Sequence, residues 1–364
     1  VYCARRTMGA ELVGKVIDGR YRILSPLGAG GVGAVYRAEQ PGGGPTVALK
    51  MLHDEYGTDP ESRERFQREA RALNGLQHPN IVGVVDFGLT DTGPYLVMEL
   101  LEGMPLDAFL EKEQPAPEVA LDLVRQTLTG LAFAHAQGVI HRDMKPENVF
   151  VARLPGGRLQ AKILDFGLAK FVDDARWGPA QKLTVMGAVM GTPAYMSPEQ
   201  GTGQRLDARS DVYSTGVVLF EALTGTWPFL GEERTDMLRM HLMDPVPALG
   251  ASKPGLGARP ELQALIEKAM GKLPEHRFKD AGEMLAALDA IPKPAVWFGP
   301  APRQTASPAP IPQSQTPTYV PPEPVPALAQ TKGTPTWVWI ALAVGLVSIL
   351  GIAAIAAVFF FLAA

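Results

Sequence analysis

The octapeptide His141-Arg142-Asp143-Met144-Lys145-Pro146-Glu147-Asn148 brings a carboxylate, an ammonium and an amide close together, and Asp165-Phe166-Gly167 adds a second carboxylate downstream. Phosphoryl transfer needs groups of these kinds. One carboxylate orients the attacking hydroxyl, an amide and a second carboxylate hold Mg²⁺, and a cation neutralises the group in transit. Either motif alone could arise by chance. Both in this order, downstream of a glycine-rich loop and a strand lysine, point to one chemistry.

The glycine-rich loop is Gly28-Ala29-Gly30-Gly31-Val32-Gly33-Ala34-Val35, which fits G-x-G-x-x-G-x-V. Its first six positions also mark dinucleotide sites, where a helix must follow the glycines at once. Here the chain runs on as Ala34-Val35-Tyr36-Arg37-Ala38 and turns at Pro41-Gly42-Gly43-Gly44-Pro45, which predicts a hairpin. Glycines in a hairpin let backbone N–H groups close over phosphates without side-chain clash. Lys50 ends Val47-Ala48-Leu49-Lys50 on the next predicted strand. Glu69 shares a helix face with Phe66 and Leu73, three and four residues away. A carboxylate on that apolar side is costly unless paired, so a Lys50–Glu69 ion pair is expected, holding the ammonium at two phosphates.

The elements that must carry these groups read as strands first. Tyr21–Leu27, Val32–Ala38 and Thr46–Leu52 are short runs bounded by glycine or proline, and Ile81–Phe87 and Pro94–Leu100 follow a helix over Glu61–Leu76. After Gly103 the pattern is mostly helical, over Pro117–Gly138, Asp207–Gly225, Pro260–Lys272 and Gly282–Asp289. A small β-rich part thus precedes a larger helical one.

From about Tyr21 to Ile291 the sequence closely resembles the eukaryotic-like Ser/Thr protein kinase family, especially its bacterial membrane-bound members. The resemblance implies an α+β fold with a β-rich N-lobe (21–98), a hinge (99–103) and a helical C-lobe (104–291), preceded by an extension (1–20). It implies ATP in the cleft between the lobes and Mg²⁺ or Mn²⁺ as the metal. Gly28, Gly30 and Gly33 would cover the phosphates, with Leu27 beside them, and Lys50, held by Glu69, would bind the α and β phosphates. Asp143 would be the catalytic base, Lys145 would contact the γ-phosphate, and Asn148 and Asp165 would bind the metal. In Tyr95–Gly103, Met98 would be the gatekeeper, and Glu99 and Leu101 would offer backbone groups to adenine. Val35, Ala48 and Phe150 would sandwich the ring. Gly191–Glu199 resembles the substrate-facing end of the activation segment, and Lys145 with Thr192 is the pattern of Ser/Thr kinases. Asp211 would brace the catalytic loop and Arg277 would pair with Glu199. Three departures stand out: Met144 replaces the usual Leu, Ser197 stands where Ala is common, and the stretch from Asn148 to Asp165 is long, with a turn at Leu154-Pro155-Gly156-Gly157 that can absorb the excess.

Regulation follows from the same resemblance. An arginine in the place of Arg142 often pairs with a phosphate on the activation segment. Thr192 holds the substrate-facing position, which leaves Thr184 as the expected regulatory phosphosite, with Gly187 and Ala188 nearby to let the loop move. Two other readings share the motifs. An inactive kinase-fold membrane scaffold would be favoured by loss of Lys50, Asp143 or Asp165. A small-molecule kinase is opposed by Gly191–Glu199, which builds a groove for a peptide hydroxyl, so the expected substrates are proteins with Ser or Thr.

The rest of the chain differs in composition. With 46% hydrophobic residues there is ample material for a core, and a net charge of −4 argues against a nucleic-acid partner. The single cysteine, Cys3, rules out an intrachain disulfide, argues against a Cys/His metal site and fits a reducing compartment. No secretory signal leads Val1–Gly19, and Met8 is one candidate start. Residues 292–336, rich in Pro, Ala, Ser, Thr and Gln, predict a disordered linker. Trp337–Ala364 carries no charge. As a helix it would span roughly 40 Å, longer than the roughly 30 Å hydrocarbon core, so one transmembrane helix is expected. Trp337 and Trp339 suit the interface, and Lys293, Arg303 and Lys332 precede the segment. That bias places the kinase-like part on the cytoplasmic side of the cell's inner membrane. Ala341 and Gly345 have the small-xxx-small spacing that would permit a homodimer.

Overall fold

The computed structural model describes residues 11–30, 33–53, 60–166, 193–256 and 259–292. The expected roles of Gly31, Val32, Gly167, Thr184, Gly191 and Thr192, and the linker and membrane span over 293–364, lie outside these residues. Among the described residues, no helix is long and apolar enough to cross a membrane.

Among the described residues nine strands form two sheets. The first has six, in the order β1-β2-β3-β4-β6-β5: β1 (Val16–Ile17), β2 (Tyr21–Gly30), β3 (Gly33–Glu39), β4 (Thr46–Leu52), β5 (Val84–Thr90) and β6 (Gly93–Glu99). β2 alternates at its start: Tyr21 and Ile23 are buried while Arg22 and Leu24 are exposed. Central β4 is buried on both faces, so its pleat decides where Lys50 goes. Val47, Leu49 and Met51 join Tyr21, Tyr36, Tyr95 and Val97 in a small outer core. Ala48 and Leu52 face the main core with Phe66, Ala70 and Leu73 of α1 (Pro60–Asn74). Lys50 alternates with the second set and therefore faces inward, 9% exposed.

The sheet begins earlier than the expected boundary at Tyr21. Asp18 and Gly19 both take left-handed backbone (φ 52° and 66°), and Arg20 N–H closes the turn on the Ile17 carbonyl. β1 then pairs with β2, Ile17 against Tyr21, and Ile17 is buried. Arg20 clasps this hairpin to its neighbours, reaching Asp86 on β5 and the Tyr95 hydroxyl on β6, each at 2.6 Å. The residues just before Tyr21 are thus hydrogen-bonded onto the first sheet.

The second sheet has three strands, β7 (Gly103–Pro105), β8 (Val149–Arg153) and β9 (Leu159–Ile163). β8 and β9 form a hairpin whose turn over Pro155–Gly157 uses two left-handed glycines, Gly156 and Gly157, and so absorbs the extra length before Asp165. The helical part comprises α2 (Leu106–Glu113), α3 (Pro117–Ala136), α4 (Ala208–Thr224), α5 (Arg234–Met243), α6 (Pro260–Ala269) and α7 (Ala281–Asp289), with several shorter turns between. The sequence range for α4 counts both caps: Asp207 accepts from Arg209 N–H, and Gly225 ends the helix in a left-handed conformation. α4 is buried along most of its length and packs on α3, α6 and α7. The two lobes are stitched behind the cleft, where the segment before β5 lies along β9: Val82 N–H donates to Ile163 O and Ile163 N–H to Asn80 O, both at 2.9 Å.

Candidate active site

The catalytic loop is held by one buried carboxylate. Asp211, 1% exposed in the first turn of α4, accepts from His141 N–H at 2.7 Å, Arg142 N–H at 2.8 Å and the His135 ring at 2.9 Å. Burial alone would push this carboxyl up; His135 and the other donors outweigh it and hold it below the usual range. Arg142 needs such an anchor, because its left-handed backbone (φ 68°) is costly for a residue with a Cβ. His141 Nδ1 faces Asp143 N–H and its Nε2 lies 2.7 Å from Leu164 O, which ties the loop to the residue before Asp165. Burial lowers the His141 pKa, so it serves here as a neutral bridge.

Three predicted groups converge at the end of this loop. Lys145 Nζ stands 3.1 Å from Asp143 Oδ2, and Asn148 Nδ2 donates to Asp143 O at 2.7 Å and Oδ2 at 3.1 Å. Burial would lower the Lys145 pKa; Asp143 outweighs that and holds it above its usual value, so it is a cation. Asn148 is 8% exposed, and Leu164 N–H donates to its backbone carbonyl at 2.8 Å. That bond follows from the Val149–Ile163 pairing of β8 with β9 and brings Asn148 beside the Asp165 segment. The asparagine nitrogen is committed to Asp143, which leaves its amide oxygen and the Asp165 carboxylate as donors. Two oxygen ligands suit Mg²⁺, which is commonly held by one or two protein oxygens together with substrate phosphates and water.

Lys50 departs from expectation. Its ammonium lies 2.6 Å from Asp165 Oδ2, and its expected partner Glu69 instead approaches Arg68 at 3.7 Å. The reason lies in the helix. The buried stripe of α1 runs through Phe66, Ala70 and Leu73, and Glu69 sits at its edge, with its side chain 20% exposed. Water and Arg68 relieve the cost that would have forced Glu69 onto Lys50. The inward-facing Lys50 takes Asp165, whose backbone is also left-handed (φ 51°).

Most of the residues expected to line a nucleotide slot lie on the strands of the two sheets. Gly28 and Gly30 face open space, whereas a side chain at Gly33 would strike the Met51 carbonyl, so Gly33 serves the β3–β4 approach. The glycines link two strands with no helix after them, as the hairpin reading requires. Val35 and Ala48 lie on adjacent strands, and Met98 is buried opposite Ala48. Phe150 is half-buried on β8, and Leu101 lies between β6 and β7, within the expected hinge. Leu27 is 49% exposed at the rim. Behind Met98 an apolar cavity is lined by Leu73, Val84, Leu96 and Phe166 and reaches Asp165.

Ser197, noted in the sequence only as a departure, and Gln200, which sequence reasoning passed over, join the activation-segment end to the loop. Ser197 caps a short helix, Pro198–Gly201, in a reciprocal capping box with Gln200. Gln200 Nε2 donates to Arg142 O at 2.6 Å. The serine in place of alanine is thus the cap that aims Gln200. Ser-x-x-Gln in front of a helix is the signal that could have found it. Arg277 pairs with Glu199 as expected, at 2.7 and 2.8 Å.

A two-lobed fold with this constellation between its lobes is the architecture of protein kinases. Residues 21–287 match the sequence model of the protein kinase domain, and the chain belongs to that family. It is 40% identical over 299 residues to the serine/threonine-protein kinase pkn3 of Myxococcus xanthus, covering 82% of this chain and 54% of that protein. It is 39% identical over 305 residues to the serine/threonine-protein kinase PknA of Mycobacterium tuberculosis, covering 81% of this chain and 66% of that protein. The chain therefore spans one half to two thirds of the length of these relatives. Among solved structures, the Mycobacterium tuberculosis PknI kinase domain superposes with a TM-score of 0.60 at 27% identity, covering 77% of this chain and 99% of that one.

Proposed function

We propose that this chain is an active ATP-dependent protein kinase that transfers the γ-phosphate to Ser or Thr of protein substrates, itself included. The observation that carries the reading is the Asp143–Lys145–Asn148 cluster, set beside the Lys50–Asp165 pair in one cleft. Asp143 orients the incoming hydroxyl and takes its proton. Lys145 compensates charge on the group in transit, and Lys50 binds the α and β phosphates. Asn148 and Asp165 are the residues to hold Mg²⁺ or Mn²⁺, which neutralises phosphate charge when bound. Lys145 in company with Thr192 favours Ser/Thr acceptors over Tyr.

Incubated with ATP and Mg²⁺, the purified chain is expected to label itself and a generic basic protein on Ser and Thr. Phosphotyrosine as the main product would overturn the acceptor assignment. The same sample tests regulation. Thr184 is the proposed activating phosphosite, supported by its place between Asp165 and Glu199 and by Arg142 next to Asp143. Mass spectrometry of active protein should find phosphate there; an active protein with unmodified Thr184 would end that proposal.

The proposed location is the inner membrane with the kinase domain in the cytoplasm, anchored by Trp337–Ala364. The support is the uncharged length of that segment, its leading tryptophans and the basic residues before it. Deleting 337–364 is expected to move the protein from the membrane to the soluble fraction. Unchanged membrane association after the deletion would place the anchor elsewhere. A homodimer through Ala341 and Gly345 would let one copy phosphorylate another.

A further inference from the structure

Lys162 lies on β9, three residues before Asp165, and directly opposite Phe150 in the β8–β9 register. Opposed residues of an antiparallel pair project from the same face, so Lys162 and Phe150 share one side of the small sheet. The Lys162 ammonium meets Glu99 Oε1, at the end of β6, at 2.7 Å. The same oxygen accepts from Gly83 N–H at 2.8 Å, and Glu99 N–H donates to Gly83 O at 2.9 Å. Glu99 is thereby fixed through its side chain and its peptide together. The pair is sheltered on the lysine side, with the Lys162 side chain 12% exposed and that of Glu99 37%. One cation of the helical lobe therefore refers two parts of the nucleotide slot to each other, the hinge peptide at its edge and the Phe150 ring at its face.

We infer that Lys162 is a positioning residue for the nucleobase, holding the Glu99 peptide and the strand of Phe150 in the relative orientation that adenine binding requires. The inference rests on the kinase reading above. Without the cation, Glu99 keeps only the Gly83 N–H for its inner oxygen, and the hinge peptide gains rotational freedom that must be given up on binding. The base is not altered in the reaction, so its contacts are alike in ground and transition states, and their loss falls on KM and not on kcat. Asp165 is unaffected, because the pairings Val149–Ile163 and Val151–Ala161 that aim it are backbone bonds.

The test is steady-state kinetics of the chain with ATP and Mg²⁺, together with Kd values for ADP. Lys162→Met is expected to raise KM for ATP and Kd for ADP about fivefold, with kcat within about twofold of the wild type. Lys162→Arg keeps the cation and should stay within about twofold of the wild type in KM. Glu99→Gln should raise KM as Lys162→Met does, and the double variant should raise it no further, since both changes remove one interaction. An unchanged KM in Lys162→Met, a fall in kcat at constant KM, or a Lys162→Arg variant as weak as Lys162→Met would each overturn the inference alone. A wild type that binds no ATP and transfers no phosphate would overturn the kinase reading and this inference with it.

Discussion

Asp143→Asn is expected to lower kcat for phosphoryl transfer by about 10²- to 10⁴-fold, the range over which a positioned acid or base contributes. The substitution keeps the shape of the side chain and an oxygen toward Asn148 and Lys145, so the fold has little to lose. What disappears is the group proposed to orient the hydroxyl and take its proton. Lys145 sits 3.1 Å from the carboxylate, and Asn148 donates to it, so the remaining site still presents a cation and the amide proposed to hold the metal. Binding of ATP is therefore expected to survive while turnover does not. Steady-state kinetics and a thermal melt on the same sample separate the two. A variant turning over within about threefold of the wild type would remove Asp143 from the role assigned to it.

The second large effect concerns folding. Arg277→Ala is expected to cost about 3–5 kcal/mol, because it leaves the Glu199 carboxylate buried without its counter-charge. The Arg277 and Glu199 side chains are 0% and 4% exposed. Every guanidinium N–H finds an acceptor: Nε on Gly271 O, Nη1 on Glu199 and Arg209 O, and Nη2 on Glu199 and Lys272 O. The guanidinium also lies over the Tyr213 ring. Lysine cannot fill five directions from one nitrogen, so Arg277→Lys should be destabilising as well. A melting temperature lowered by on the order of 10 °C is the expected reading for Arg277→Ala. A shift under about 2 °C would show that the pair adds little.

The same pair sets an acid limb. Burial would push the Glu199 carboxyl up, and the bonds from Arg277 and Ser210 more than offset it, so its folded pKa lies below the usual value. Its contribution to stability is therefore complete above the unfolded value of about 4.3 and is lost as pH falls through the lower, folded one.

The meeting of Asp143, Lys145 and Asn148 was legible in the sequence. Asp143, Lys145 and Asn148 lie on one short loop, so their meeting needed no knowledge of the fold. Lys50 with Glu69 was different. Facing the right side of a strand and the right side of a helix places two groups near each other, but whether they touch depends on how far the helix is rotated about its axis. A residue at the margin of the buried stripe can then choose solvent. Strand β1 was not read although Asp-Gly is a strong turn signal, because it is only two residues long and shows no alternation. Helix α5 escaped notice because only Met237 and His241 are buried along it, too thin a stripe to read. The Ser-x-x-Gln pattern could have shown Gln200 as half of a capping box, but its bond to Arg142 could not be read, because that partner is a backbone carbonyl.

The anchorage of the catalytic loop has a consequence for ionic strength. Asp211 is matched by two peptide N–H dipoles and an imidazole whose Nδ1 is engaged by Ala281 N–H, with no lysine or arginine among these partners. Dissolved ions weaken attraction between exposed charges by gathering around each of them, and they cannot gather around a carboxylate that is 1% exposed. Surface pairs such as Arg209–Asp207 and Arg153–Glu113 will loosen in brine. The bend at Arg142, held by bonds that salt does not reach, will keep its shape.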